Sequence, residues 1–389
     1  MWQSLHDAWW RLATDSHPHS FIDRLTVQVL HAGASLYGGA VALRNAAYDR
    51  GWARQVALPC RVVSIGNLTV GGTGKTACAE LIARQLTDMS RRVAILSRGY
   101  GGARRDYWLR WDGHHLMVNP VPQAGLPWCG VNGRSQAIRD DLADEPQLLA
   151  RHLAGVPVVV GPRRDRTGAF ACREFSPDVV ILDDGFQHRR LRRDCDIVLV
   201  HARMPFGGFA LLPSGPMREP LQSVARAHVI IVTKADEALE TIGALSERLR
   251  ALNPDAALVT AVHAPSGLVD VMTEQPLELS RLSGLSVGLL SSIGDPLGFE
   301  ATVERLHATI RWHRSFPDHH RYAASDWQEV AAQCRAARPE AIITTEKDWV
   351  RLQPLVVRRA DAPAPIWMLQ VKMAIVSGKE ALHDRLARL

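Results

Sequence analysis

The chain has 389 residues, enough for two or three domains at about 150 residues each, and its 47% hydrophobic and 22% charged residues are those of an ordinary globular protein. This composition excludes an intrinsically disordered chain and a collagen-like repeat. The net charge of +6 favours acidic ligands or a phospholipid surface, and the sequence contains no nucleic-acid-binding motif. The six cysteines are widely spaced without a Cys-x-x-Cys pair, which predicts neither a zinc site nor a disulfide framework and fits a reducing cytosol.

The first feature along the chain is an apolar segment at 25–43, which carries no formal charge. Its length is close to that of a membrane-spanning helix, but its polar residues and glycines argue against a span. It also begins too late in the chain for a secretory signal. We therefore predict an N-terminal apolar helical arm over residues 1–54.

From residue 61 onward, short apolar runs alternate with helical stretches, a pattern typical of parallel βαβ units. Strands are predicted at 61–67, 92–99, 156–161, 178–184, 195–201 and 228–234, and helices at 75–88, 145–154, 163–175 and 239–252. A second set has strands near 255–263, 286–292, 340–345 and 366–373, with helices near 296–309, 325–337 and 378–388.

This order of elements predicts an α/β protein with a doubly wound, mainly parallel sheet over 55–237 and a smaller α/β domain over 238–389. The turn Ala264-Pro265-Ser266-Gly267 is a second candidate for the domain boundary. Between 101 and 133 the alternation breaks, which predicts a long surface excursion. Two interpretations of that excursion stay open: an irregular loop without chemistry, and a lid or hairpin that contacts substrate.

The strongest chemical signal is the run Gly71-Gly72-Thr73-Gly74-Lys75-Thr76, which connects the strand at 61–67 to the helix at 75–88. Glycines allow backbone N–H groups to turn toward phosphates, Lys75 would reach the β- and γ-phosphates, and the Thr76 hydroxyl would ligate Mg²⁺. Thr69 stands where the usual phosphate-loop pattern has its first glycine, so the loop is a variant. The context favours nucleotide binding by a P-loop domain over a purely structural turn.

A second signal is the strand at 178–184, which ends in Asp183 and Asp184. Open α/β sheets bind ligands at the carboxyl ends of their strands. Asp183 would hold Mg²⁺ directly or through water, and Asp184 would be a second metal contact or would orient the first. The alternative is an acidic strand end that faces solvent.

Two basic segments give weaker signals. Residues 186–193 are dense in cations and predict either a solvated basic loop or an anion clamp. The run Thr233-Lys234-Ala235-Asp236 is similar to the base-reading box of GTPases, but Thr233 replaces the asparagine of that box. The sequence therefore predicts no guanine specificity.

Seven motifs occur in order along the chain: Gly66-Asn67-Leu68-Thr69-Val70-Gly71-Gly72-Thr73-Gly74-Lys75-Thr76, Ser97-Arg98-Gly99-Tyr100-Gly101-Gly102, Asp144-Glu145-Pro146, Asp183-Asp184-Gly185-Phe186-Gln187-His188, Arg218-Glu219-Pro220, Phe316-Pro317-Asp318-His319 and Thr344-Thr345-Glu346-Lys347-Asp348. Together they make the chain, from about residue 34 to Leu389, resemble the tetraacyldisaccharide 4′-kinase family, the lipid A 4′-kinases. The resemblance implies two α/β domains and an enzyme that uses ATP and Mg²⁺. Its substrate would be a tetraacylated glucosamine disaccharide 1-phosphate, phosphorylated on the 4′-hydroxyl to give lipid IVA.

The resemblance also implies roles for residues that are unremarkable alone. By themselves, Asp144 is a helix-start carboxylate and His319 an isolated histidine. By resemblance, Asp144 would take the proton from the 4′-hydroxyl and His319 would pair with it, although His320 stands where we expect tyrosine, so both imidazoles stay candidates. The metal region would include Asp183, Asp184 and Glu219, and the substrate or the periphery of the site would contact Arg98, Tyr100 and His188.

The resemblance implies an acylated disaccharide lipid and an anionic inner-membrane surface as partners, with no obligate protein partner. The apolar arm, flanked by Arg24, Arg44, Arg50 and Arg54, would then lie in the membrane interface, which predicts a peripheral or monotopic protein at the cytoplasmic face of the inner membrane. A helix that only covers the first domain is the alternative for this segment.

Two other functions compete with the kinase. A membrane-associated P-loop switch ATPase of the MinD type shares the glycine pattern, but it carries a second lysine just before the paired glycines, where this chain has Val70. A metallochaperone GTPase is less favoured because the box at 233–236 is off-pattern. The motifs around Asp144 and His319 favour the kinase over both.

Overall fold

The computed structural model of the protein describes residues 21–99, 106–121, 142–318, 320–356 and 362–389. Packing divides the chain into two units. The first unit consists of two segments, the chain up to Val262 and Met373–Leu389, and the second unit is His263–Lys372. The division therefore falls later than the boundary predicted near residue 238, and the last helix belongs to the first unit.

The first unit contains the parallel sheet that the apolar runs predict. Its strands are β1 (Arg61–Asn67), β2 (Val93–Ser97), β3 (Tyr107–Trp111), β4 (Leu116–Pro120), β5 (Val158–Val160), β6 (Val179–Leu182), β7 (Cys195–His201), β8 (Val229–Thr233) and the first part of β9 (Ala257–Asp270). The spatial order is β9-β8-β7-β1-β6-β2-β5-β3-β4. Neighbours from β9 to β5 are parallel, and β3 and β4 form an antiparallel hairpin on β5.

Helices cover both faces of this sheet, as expected for parallel strands that are buried on both sides. They are α2 (Lys75–Asp88), α3 (Asp144–His152), α4 (Arg164–Phe175), α5 (Ile242–Leu252) and, after the second unit, α9 (Lys379–Ala387). Helix α1 (Phe21–Asp49) precedes them and contacts the segment between β7 and β8. Val63 and Ile65 of β1 pack in the core cluster that contains residues of α2, α3 and α9. Val62, which points to the opposite face, packs in the cluster that contains Phe170 of α4. The doubly wound arrangement is thus confirmed.

The second unit is also built from parallel strands and helices. Its elements are the remainder of β9, β10 (Gln275–Leu277), β11 (Ser286–Ser291), α6 (Pro296–Arg305), β12 (Thr309–Ser315), α7 (Ala324–Ala337), β13 (Ala341–Thr345), α8 (Glu346–Val356) and the first part of β14 (Ile366–Ser377). Strands β12, β11, β13 and β14 lie in that order and are parallel. The predicted helix at 296–309 ends at Arg305, and β12 and α8 are additional elements.

Residues 264–267 do not form a turn, because they lie inside β9. As the second candidate for the domain boundary, however, they lie next to the division between Val262 and His263. The broken pattern at 101–133 is partly explained by the β3–β4 hairpin, while 101–105 and 122–133 lie outside the described residues.

The apolar segment at 25–43 forms part of α1, which packs on the first unit. The Tyr37 hydroxyl donates a hydrogen bond to the Arg218 carbonyl at 2.9 Å, His31 Nδ1 lies 3.0 Å from Ser214 Oγ, and Val41 is buried. None of the described helices combines the length and apolarity that crossing a bilayer requires.

Candidate active site

The glycine-rich loop after β1 adopts the conformation that a phosphate loop needs. Gly71 and Gly74 have φ values of 112° and 82°, which only glycine adopts readily, and Gly74 is the N-cap of α2. A Cβ at Gly71 or Gly72 would meet no atom of a described residue within 4 Å, so the space in front of this backbone is open. The N-terminal N–H groups of α2 are thus available to an anion.

Lys75 lies over this loop. Its Nζ donates a hydrogen bond to the Gly71 carbonyl at 3.3 Å. Burial lowers the pKa of Lys75, while the nearby Asp184 carboxylate opposes that change. The ammonium therefore lies beside both the open loop backbone and the acidic strand end.

Arg218 fastens the loop to the acidic strand end. Its guanidinium binds Asp184 through two hydrogen bonds of 2.8 and 3.0 Å and donates to the Thr69 carbonyl at 3.2 Å. It also contacts Asn67 Oδ1, and Asn67 Nδ2 donates to Thr73 Oγ1 at 2.9 Å. These bonds fix the loop and the Asp184 carboxylate relative to each other, and Arg218 holds the pKa of Asp184 below its ordinary value against the effect of burial.

Asp183 is placed as a metal ligand would be. Its side chain is buried, and its Oδ1 accepts no hydrogen bond from any described residue. Burial, with the carboxylates of Glu145 and Asp184 close by, raises the pKa of Asp183 to about 7. A divalent cation would supply the missing partner and would restore the ionised form. The oxygen donors Asp183 and Thr76 fit Mg²⁺. Asp184 is the neighbouring carboxylate, and both of its oxygens accept hydrogen bonds from Arg218.

The structure places Glu219 away from this role. Its fully buried carboxylate accepts hydrogen bonds from Arg44 at 3.1 Å, Arg226 at 2.8 Å and Asn45 at 2.9 Å. Both oxygens are thus engaged by cationic and amide groups, and two of these come from α1. Glu219, predicted as a metal-region residue, instead connects α1 to the first unit.

Arg164 is a site residue that the sequence did not reveal. Its side chain is fully buried, one Nη donates to the Asp183 carbonyl at 3.1 Å, and its Nε and other Nη bind no described residue. Burial, together with Arg98, lowers the pKa of Arg164 to about 10, so it stays charged at neutral pH. A buried guanidinium with unused donors beside an acidic strand end is suited to phosphate.

Asp144 begins α3 but does not cap it. The N-cap is Ala143, whose N–H donates to the Tyr107 hydroxyl at 3.1 Å, so the hairpin strand β3 fixes the start of the helix. Glu145, the next residue, influences the pKa of both Asp183 and Lys75. The first turn of α3, with Asp144 in it, therefore lies within electrostatic range of the phosphate loop.

Other predicted residues lie around the same edge of the sheet. His188 is half-buried, and burial together with Arg164 lowers its pKa to about 4, so the imidazole is neutral at physiological pH. Its Nε2 binds no described residue. Arg98 is exposed at the end of β2, and Tyr100 lies outside the described residues.

In the second unit, the structure describes one of the two candidate histidines. His320 Nε2 lies 2.9 Å from Asp326 Oδ2 at the start of α7, and its ring stacks on Phe316. His320 therefore has a structural partner of its own. His319 lies outside the described residues.

Known proteins match this chain over most of its length. Residues 26–389 match the family model described as tetraacyldisaccharide-1-P 4′-kinase. A tetraacyldisaccharide 4′-kinase from Anaeromyxobacter dehalogenans is 41% identical over 90% of this chain and 87% of its own length, and one from Syntrophus aciditrophicus is 36% identical over 91% of each.

A solved structure of LpxK from Aquifex aeolicus in complex with ATP superimposes with a TM-score of 0.68 at 28% identity, covering 93% of this chain and 99% of that one. These matches confirm the family, the α/β fold class and the ATP-using kinase activity that the seven motifs predict, in place of the switch ATPase and the GTPase. The chain belongs to the tetraacyldisaccharide 4′-kinase family.

Proposed function

We propose that this chain transfers the γ-phosphate of ATP to the 4′-hydroxyl of a tetraacylated glucosamine disaccharide 1-phosphate at the edge of the sheet where β1 and β6 end. The observation that carries the proposal is that Lys75, which lies over the open glycine loop, and the buried Arg164 are both close to the carboxylates of Asp183 and Asp184. Phosphoryl transfer depends mainly on positioning and on neutralising negative charge, and this cluster supplies both.

Each side chain has a distinct part in the transfer. The backbone N–H groups at 71–76 and the Lys75 ammonium hold the β- and γ-phosphates, and Arg164 neutralises charge that develops on the transferred group. Thr76 and Asp183 would hold Mg²⁺, with Asp184 kept in place by Arg218. When bound, Mg²⁺ would neutralise negative charge on the phosphates.

Asp144 acts as the general base in this proposal. As the 4′-oxygen forms its bond to the γ-phosphorus, the bond from that phosphorus to the bridging oxygen breaks, ADP leaves, and the hydroxyl proton passes to Asp144. His319 would orient the Asp144 carboxylate. The engagement of His320 with Asp326 supports His319, rather than His320, for that role.

The outer face of α1 is the part of the protein that would meet the membrane. Leu25, Val29, Leu36 and Leu43 are 54%, 65%, 78% and 68% exposed and lie on one stripe of the helix, since they are separated by four or seven residues. Arg24 at one end, and Arg50 and Arg54 beyond the other, are placed to meet anionic headgroups, whereas Arg44 is paired with Glu219.

This stripe supports a peripheral attachment to an anionic membrane, with the helix lying in the interface. An acyl-chain substrate resides in such a membrane, so the attachment would keep the kinase where its substrate is concentrated. The cytoplasmic face of the inner membrane, where ATP is available, is the proposed location.

The decisive experiment incubates the purified full chain with γ-labelled ATP, Mg²⁺ and the lipid disaccharide and follows label on the lipid. Lys75→Ala is the matched variant, and circular dichroism checks that it is folded. We expect transfer by the wild type and a loss of several orders of magnitude in Lys75→Ala, because the ammonium over the loop is removed. Absence of labelled lipid with the wild type, or normal turnover in Lys75→Ala, would refute the proposal.

A further inference from the structure

The motif Thr344-Thr345-Glu346-Lys347-Asp348 has no part in the site described above, yet it forms a dense polar network in the second unit. It spans the junction at which β13 ends and α8 begins. Asp348 is fully buried there. A buried carboxylate is costly unless it is well supplied with hydrogen bonds, so its partners indicate what it is for.

One oxygen of Asp348 is explained by the helix. Asp348 Oδ2 accepts a hydrogen bond from Thr345 Oγ1 at 2.6 Å, and Thr345 Oγ1 in turn accepts one from the Asp348 N–H at 3.2 Å. This reciprocal pair resembles a capping box at the start of α8. A helix-start role requires no more than this one oxygen.

The other oxygen points to a different segment. Asp348 Oδ1 accepts from the Ser292 N–H at 3.0 Å, from Ser292 Oγ at 2.6 Å and from the Tyr322 hydroxyl at 2.9 Å. Ser292 follows β11 directly, and Tyr322 ends the stretch 316–322 that contains the Phe316-Pro317-Asp318-His319 motif. The carboxylate thus joins a strand end to the histidine-bearing stretch.

Further contacts hold this stretch at several points. Arg351, one turn along α8, donates to Ser292 Oγ at 2.9 Å and to the His320 carbonyl at 3.1 Å. The Phe316 N–H donates to the Ser291 carbonyl at 2.7 Å, and the Tyr322 ring packs edge-on against both Phe316 and His320. Phe316, His320 and Tyr322 are therefore each held by contacts of this network.

We propose that Asp348 is a positioning residue for phosphoryl transfer: with Tyr322, it holds in place the described residues on both sides of His319, which are 316–318 and 320–322. The inference rests on the proposed function, because His319 belongs to the stretch 316–322. Within the Thr344–Asp348 motif, Asp348 is then the residue that supports the histidine motif, and it needs no contact with nucleotide or lipid.

The test uses Tyr322→Phe, which removes one hydroxyl from Asp348 and keeps the aromatic packing. The matched control is Thr344→Val, which removes a buried hydroxyl of the same motif whose 2.9 Å bond goes to the Leu290 carbonyl, away from the stretch. Asp348→Asn is measured alongside. The readouts are kcat and the KM for ATP in the lipid-kinase assay, with the midpoint of thermal unfolding of each variant.

We expect Tyr322→Phe to lower kcat roughly tenfold to a hundredfold while leaving the KM for ATP unchanged, as small displacements of a reacting group do. Thr344→Val should keep kcat within about twofold at a similar thermal midpoint, because its hydrogen bond does not reach the stretch. Asp348→Asn should lose more than Tyr322→Phe, and if it does not fold, Tyr322→Phe alone decides. Equal kcat losses in Tyr322→Phe and Thr344→Val, or a loss carried entirely by the KM for ATP, would overturn the proposal.

The double variant Tyr322→Phe with His319→Ala separates this inference from the proposed function. If Tyr322 acts through the histidine motif, the double variant should be no slower than His319→Ala alone. A multiplicative loss would contradict positioning through His319. Full activity of His319→Ala would refute the role of His319 in the proposed function. The comparison of kcat between Tyr322→Phe and Thr344→Val would still test the positioning role.

Discussion

Asp144 is the residue whose chemistry is easiest to separate from its structural surroundings. Since Ala143 is the N-cap of α3, the Asp144 carboxylate is not needed to cap the helix. A carboxylate in the first turn also interacts favourably with the helix dipole, which is worth about 0.3 to 1 kcal/mol. A base in the transfer step would matter far more to the rate.

Asp144→Asn should therefore lower kcat by roughly 10² to 10⁴ while leaving thermal stability and ATP affinity close to those of the wild type. Steady-state kinetics on the lipid substrate and nucleotide titration measure the two effects separately. Glu145→Gln, the adjacent change in the same helical turn, is the matched control for lost negative charge. More than about a tenth of wild-type kcat in Asp144→Asn would exclude it as the base.

Arg218 has a different role, because its bonds are to protein groups on both sides of the nucleotide site. Lysine cannot reproduce two parallel bonds to Asp184 together with the bond to the Thr69 carbonyl. Arg218→Lys should raise the KM for ATP about tenfold or more, since the phosphate loop and the metal-side carboxylate are no longer held together.

Arg190→Lys is the control for this prediction. Arg190 is an exposed arginine that also binds a carboxylate, Asp165, but it has no contact with the loop. If both variants change the KM for ATP to the same extent, the change follows from replacing any carboxylate-bound arginine. It would then not be due to loss of the link between the phosphate loop and Asp184.

At the residue scale, sequence reasoning found side chains that stand in a motif and missed those that depend on burial. Lys75 and Asp183 were predictable because a strand, a glycine run and a helix frame them. Arg164 was not, because Arg163, Arg164 and Arg166 form a basic cluster that looks like a solvated surface. Only folding shows that Arg164 alone is buried beneath Asp183.

Among the elements, α1 carries the clearest functional prediction. Leu36→Glu places a charge in the middle of the exposed apolar stripe and should weaken binding to vesicles that contain anionic lipid by about tenfold, with ATP binding unchanged. Co-sedimentation of the full chain with vesicles measures this. Binding should also fall with added salt, because headgroup attraction is screened over about 8 to 10 Å at physiological ionic strength.

Ser35→Glu is the control, since Ser35 is equally exposed but lies about 100° around the helix from Leu36. It should bind vesicles nearly as well as the wild type. Equal binding by wild type and Leu36→Glu would show that the stripe does not contact the membrane. Binding that does not change with salt would show that attraction between the arginines and the headgroups does not contribute.

Helices and strands could be predicted where they are buried, because buried segments are rich in apolar residues. The central strands β1, β6 and β7 are covered on both faces, so they are continuous apolar runs with little ambiguity. Edge strand β12 is exposed at most positions and lacks such a run, and α8 follows β13 with no turn residue between them. Both escaped prediction for these reasons.

For the whole molecule, the buried Asp183 carboxyl makes stability depend on pH. Its pKa is raised from an ordinary value near 4 to about 7, so the folded chain binds a proton between these pH values that the unfolded chain has released. Its contribution to stability is therefore present at low pH and is lost as pH rises through 7. At higher pH the folded chain must keep an ionised carboxylate without a hydrogen-bond donor on Oδ1.

Asp183→Asn should consequently raise the thermal midpoint relative to wild type, and the difference should be larger at pH 8 than at pH 5. Both proteins are measured by calorimetry in chelator, and the comparison between them cancels other groups that titrate in this range. Added Mg²⁺ should stabilise the wild type more than the variant. A difference that does not change with pH would mean that Asp183 titrates normally.

The path of the chain between the two units bears on how the protein is made. The core of the first unit includes Leu382 and Leu386 of α9, and the Arg61 side chain at the start of β1 donates to the Leu389 carbonyl at 2.9 Å. During synthesis these residues leave the ribosome only after the whole of His263–Lys372. The phosphate loop is synthesised early, but the sheet that carries it lacks α9 until Met373–Leu389 has been made. The second unit can fold before that point, while translation continues. Nucleotide can therefore stabilise the complete first unit only after Met373–Leu389 has been synthesised.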